Sequence, residues 1–130
     1  MTRTASAREV VVELEPRPQS GHVAREAVLE LAEHLHPETM AKVRLLVTEL
    51  VVAALAPAEN QPLRLTARLD GSLVRCEIST AENGATLAGQ ARPRSWSLFL
   101  VNRIADRWGA DEDTVWFELA ARAPGRFRAR

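Results

Sequence analysis

The chain has no tyrosine, one cysteine (Cys76), and one lysine (Lys42) among its seventeen basic residues. A single thiol excludes an intrachain disulfide framework and any zinc site built from several cysteines. It is also what a reducing compartment would leave in place. Long apolar runs are missing: the longest, Leu50 to Ala58, is about half of the ~20 residues a spanning helix needs, so no membrane passage is expected. Residues Met1 to Val12 lack the basic, apolar, small-residue succession of a signal peptide, which makes a cytoplasmic protein the expectation. An excess of either charge is absent too. Seventeen basic residues cancel seventeen acidic ones, which argues against a dedicated binder of nucleic acid or anionic membrane. The use of arginine almost to the exclusion of lysine, with abundant alanine, reads as GC-rich coding bias rather than chemistry.

What is present suits one folded unit. At 130 residues, 46% hydrophobic and 26% charged, the chain is a single domain of ordinary globular composition. Folding at this length buries roughly two thirds of the unfolded surface. The domain is expected over 1–120, with 121–130 as an Arg-rich tail (Arg122, Arg126, Arg128, Arg130) that has no periodicity and is expected to be loosely ordered and solvated.

Three valines in Arg8 to Leu14 (REVVVEL) predict a strand, which Pro16 and Pro18 stop. Ser20 then offers a helix cap. From Gly21 to Leu35, Val23, Ala27, Val28, Leu31, Ala32 and Leu35 recur at helical spacing on one stripe. Pro37 suits the first turn of a second helix. Past Leu45 that helix is apolar nearly all round, which predicts a central position, and Pro57 is expected to end it. LRLTARL, Leu63 to Leu69, alternates; Asp70-Gly71 signals a two-residue turn; and Leu73 to Ser79 returns with Val74, Cys76 and Ile78 on one face, an antiparallel hairpin. A loop follows over Ala81 to Arg94. Ser95 is placed to cap a third helix, Trp96 to Trp108, with Gly109 as its stop, and Asp111 to Asp113 forms an acidic turn before the last strand, Thr114 to Leu119 (TVWFEL). The order β-α-α-β-β-loop-α-β predicts an α/β two-layer sandwich: a mixed, mostly antiparallel sheet covered on one face by three helices.

That order, with the phrases RLLVTEL (Arg44 to Leu50), LFLVNRIADRWG (Leu98 to Gly109) and TVWFEL, resembles the histidine-kinase-like (Bergerat) ATPase fold. Its closest branch is the anti-sigma-factor serine kinases and their actinobacterial relatives, and the likeness covers about residues 20 to 120. In that family the second helix carries a Glu and, four residues on, an Asn, both on one helix face. The Glu activates the attacking hydroxyl and the Asn oxygen coordinates magnesium. Here Glu49 matches the Glu, but the Asn position is Ala53, and a methyl group ligates no metal. The family's adenine-contacting Asp falls on Thr80 or Ala81, with Glu82 reaching it only after a shift of register, and of the glycine turn that follows Gly84 alone remains. The family's Gly-x-Gly-Leu phosphate turn reads Ser95-Trp96-Ser97-Leu98, and a β-carbon at each serine hinders close approach of backbone to phosphate.

The resemblance therefore implies a scaffold whose nucleotide site is lost at Ala53, Ser95 and Ser97 while Glu49 persists as a vestigial base. No cofactor and no metal are expected. The expected role is that of a non-catalytic regulator that binds a sigma factor or an anti-sigma-factor antagonist, with a homodimer as a further option. The alternative is an ATP- and magnesium-dependent serine/threonine kinase that retains Glu49 as its base. Glu49 could equally be a surface carboxylate satisfied by Arg44 or Arg68, and Trp96 either a core residue at a helix start or a plug for the emptied pocket. His22, His34 and His36 form no ligand cluster with a cysteine, and Cys76 reads as a small buried hydrophobe.

Overall fold

In the computed structural model, which describes residues 3–5, 8–58, 60–80, 96–110 and 114–122, six strands form one sheet under three α-helices. The strands are β1 (Arg3–Ala5), β2 (Glu9–Leu14), β3 (Leu63–Asp70), β4 (Leu73–Thr80), β5 (Arg107–Ala110) and β6 (Thr114–Ala120); the helices are α1 (Ser20–Val28), α2 (Pro37–Ala58) and α3 (Trp96–Ile104). Sheet order is β1-β2-β3-β4-β6-β5, and every pairing among these strands is antiparallel, so the expectation of a mixed sheet is corrected. The α/β class, the antiparallel sheet and the three helices agree with the sequence pattern.

Period-two alternation fixes which face is buried. Val10, Val12 and Leu14 of β2, Leu63, Leu65 and Ala67 of β3, Val74, Cys76 and Ile78 of β4, and Val115, Phe117 and Leu119 of β6 all point into one core against the helices. α1 packs on β2, α2 lies across β4 and β6, and α3 lies beside β5. Gly21 allows the close approach of α1 to α2, since a β-carbon there would stand 3.1 Å from Thr48 Cγ2.

Several local expectations are corrected. Ser20 does not cap α1: it is the first helical residue, and its hydroxyl donates back to the Glu15 carbonyl at 2.6 Å. The first helix is α-helical only to Val28 and continues as a 3-10 helix over Leu29–His34, whose tighter winding turns Ala32 out to solvent. Pro37 does open α2, and the imidazole Nδ1 of His36 accepts the Glu38 N–H at 3.0 Å, a cap the sequence pattern did not suggest. Pro57 lies inside the last turn of α2 rather than beyond it. α2 is also less enclosed than its composition implies, with Leu45 and Val52 on its outer side 42% and 47% exposed.

The hairpin turn is Gly71-Ser72, one residue later than expected, because Asp70 still pairs with Leu73 and only Gly71 takes a positive φ of 64°. α3 stops at Ile104. Asp106 donates its N–H to the Glu118 carbonyl and accepts the Ala120 N–H on its carboxylate, which peels the chain onto the edge of β6 as β5. Gly109 is thus a strand residue and not a helix stop. Ala121 is buried and bonded on two sides, to the Ser72 carbonyl and the His36 N–H. The loop over 81–94, the turn over 111–113 and the tail beyond Arg122 lie outside the described residues.

Candidate functional site

α2 is the middle helix, and its two flanks carry different chemistry. On one flank Arg44 and Thr48 face α1: Arg25 donates to Thr48 Oγ1 at 3.0 Å, and Arg44 Nη2 lies 4.0 Å from Glu26. Glu49 and Ala53, one turn apart, lie on the opposite flank, toward the side on which α3 packs. Both are half-buried, and Ala53 rests against the core. Glu49 makes no hydrogen bond or ion pair among the described residues. The expected partners lie elsewhere, Arg44 on the α1 flank at 4.0 Å from Glu26 and Arg68 on the far face of the sheet, which corrects the reading of a carboxylate satisfied by either of them.

Thr80 is the last residue of β4, buried at 5% exposure and paired with Leu63. Leu63 follows closely on the C-terminal end of α2, where Gln61 donates to the Ala58 carbonyl. Thr80 therefore sits at the same end of the molecule as Ala53. Ser97 belongs to the first turn of α3 by its backbone. Glu49 and Ala53 thus share one flank of α2, and Thr80 lies at the end of the molecule where α2 finishes. Gly84, Ala81, Glu82 and Ser95, and the side chains of Trp96 and Ser97, lie outside the described residues.

No group of three or more His, Cys, Asp or Glu side chains able to hold a metal ion occurs among the described residues. Of the histidines, His36 caps α2 and His22 lies 3.4 Å from Arg25. Cys76 is fully buried on the core face of β4; burial, with the nearby Glu77 charge adding to it, pushes its thiol well above the ordinary value. No helix among the described residues is long and apolar enough to cross a membrane.

Among the described residues, the densest polar cluster lies elsewhere, on the sheet face that carries no helix. Arg75 donates to Glu77 at 2.6 Å and to Glu118 at 2.8 Å, and its guanidinium stacks on Trp116 at 4.1 Å from the ring centre. Glu118 Oε1, shielded from water, faces Arg107 Nη1 at 3.4 Å, an ion pair without hydrogen-bond geometry. Burial works against the Arg75 charge, but the two carboxylates outweigh it and raise the guanidinium pKa further. The signal for this cluster was in the outward positions of two alternating strands, Arg75 and Glu77 on one and Trp116 and Glu118 on the other. Apart from Glu118 Oε1, which accepts no hydrogen bond among the described residues, the charged groups of this cluster are paired with one another. No protein-family model matches the chain, and no curated protein matches it.

Proposed function

We propose that the chain is a non-catalytic regulatory protein on an anti-sigma-factor kinase scaffold, which acts by gripping another protein and has lost ATP binding and phosphotransfer. The observation that supports this most is Ala53. It stands one turn after Glu49, on the flank of α2 nearest α3, with its methyl group packed on the core. In the family this chain resembles, that position supplies the oxygen that coordinates magnesium; here it carries a methyl group packed on the core, which has no lone pair to offer a metal. The antiparallel sheet with helices on one face is compatible with the Bergerat arrangement. A sigma factor or an anti-sigma-factor antagonist is the proposed partner, in the cytoplasm, with the homodimer a further option.

Isothermal titration with ATP, with and without magnesium, tests the reading. No heat up to roughly millimolar ATP is expected, corresponding to a binding free energy weaker than about −4 kcal/mol. Magnesium-dependent binding at roughly micromolar ATP would overturn it. It would favour the second reading, an ATP-dependent serine/threonine kinase, for which Glu49 is the supporting residue: a half-buried carboxylate with no ion pair or hydrogen bond among the described residues is chemically available as a base. Substituting Ala53→Asn, Ser95→Gly and Ser97→Gly together restores nucleotide affinity only if the remaining walls of the site are intact.

A further inference from the structure

We propose that the groove between the 3-10 helix and the first turns of α2 is a binding site for a medium-chain carboxylate, an apolar tail ending in one negative charge. The groove encloses about 310 Å³, at the lower end of the range for small-ligand pockets. Its floor is Leu35 and Met40, both buried, and its walls are Leu29, Ala32 and Ala41, all exposed. Pro37 beside them contributes no N–H donor. The one charged group is Arg44.

Arg44 is poorly occupied by its own protein. Its Nη2 lies 4.0 Å from Glu26 Oε2, beyond hydrogen-bonding distance, and its Nε–H is shielded from water with no acceptor among the described residues. Nε–H and Nη2–H together form the edge of a guanidinium that receives a carboxylate through two parallel hydrogen bonds. Glu26 stands near that edge without hydrogen-bonding it, and a shielded donor without an acceptor is costly to leave so. The Arg44 side chain is 40% exposed and lines the groove. A carboxylate at the mouth satisfies the donors while its tail covers Leu29 and the two alanines. Glu26 sets the charge the site accepts: with one carboxylate already beside the guanidinium, a single negative charge is tolerated better than a phosphate dianion, and an ammonium head is repelled by Arg44.

The test is a titration of the whole ¹⁵N-labelled chain with octanoate, and with octylammonium as the control of equal tail and opposite charge, followed by amide chemical shifts. Octanoate is expected to give saturable shifts centred on Leu29, Ala32, Met40 and Ala41, with octylammonium binding at least about tenfold more weakly. Arg44→Gln, which keeps much of the side chain and removes the charge, is expected to abolish that preference while leaving the rest of the spectrum in place. Absence of saturable shifts with octanoate overturns the proposal, as do shifts centred elsewhere. Equal binding of both amphiphiles to the unaltered chain overturns it too, and would mark the groove as an unselective apolar surface of the kind a partner helix covers. The two-ligand comparison decides the matter even if Arg44→Gln fails to fold.

Discussion

Gly109 and Trp116 stand opposite each other in the β5–β6 pairing, and the indole lies over the bare Cα. A β-carbon at 109 would meet Trp116 Cζ2 at 2.8 Å and Cε2 at 3.0 Å. The ring cannot easily retreat, because the Arg75 guanidinium is stacked on it and Arg107 sits 5.8 Å from its centre. Gly109→Ala is therefore an overpacking substitution, expected to destabilise the fold by about 1–2 kcal/mol. Urea unfolding followed by tryptophan fluorescence checks it, and an unchanged midpoint would show that the ring yields freely. Sequence reading took this glycine for a helix stop, since a Gly after an apolar stripe is the usual helix terminator. The real constraint is a cross-strand contact with a residue seven positions away, which no local pattern encodes.

At the scale of the elements, the helix-free sheet face depends on one half-buried arginine more than on its exposed charges. The Arg75 and Glu118 side chains are 23% and 10% exposed, whereas Arg64 and Glu13, paired at 3.0 Å, are 44% and 38% exposed. Removing one member of a shielded pair strands the other charge; removing one of an exposed pair does little. Arg75→Met is expected to cost about 2 kcal/mol, since Arg107 still reaches Glu118. The double change Arg75→Met with Glu118→Met should recover most of that loss, and Arg64→Met should cost no more than about 0.5 kcal/mol. Chemical denaturation of the four proteins decides it; a double variant as unstable as the single one would refute the account. The long elements were legible because their patterns are strong: β3 alternates, β4 answers it across a turn signal, β6 is an apolar-rich run, and α2 carries a helical stripe over many turns. The short edge strands β1 and β5, three and four residues long, were not, because so few residues carry no period. Of the candidate site, Glu49, Ala53 and Thr80 (or Ala81) were pointed to by the family resemblance, while the Arg44 groove arises from the switch to 3-10 winding at Leu29, which apolar spacing alone does not reveal.

For the molecule as a whole, composition makes the alkaline limit of stability unusually simple. With no tyrosine and one lysine, few groups besides Cys76 titrate between about pH 8 and 11. In the folded chain burial holds the Cys76 thiol protonated far above its ordinary value of 9.0, whereas in the unfolded chain it ionises there. A folded-state pKa raised above the unfolded one gives stability that is complete below about pH 9 and is lost as pH rises beyond it, because the unfolded chain alone releases the proton. The expected loss is about 1.4 kcal/mol between pH 8 and pH 10, measured as a falling urea midpoint. Cys76→Val places a side chain of similar size among Val74, Ile78 and Phe117 and removes the titrating group, so its profile should be nearly flat over the same range. The same burial predicts that iodoacetamide labels Cys76 only at the rate of unfolding. If the variant and the unaltered chain lose stability in parallel, Lys42 or another titrating group carries the alkaline transition, and the thiol does not.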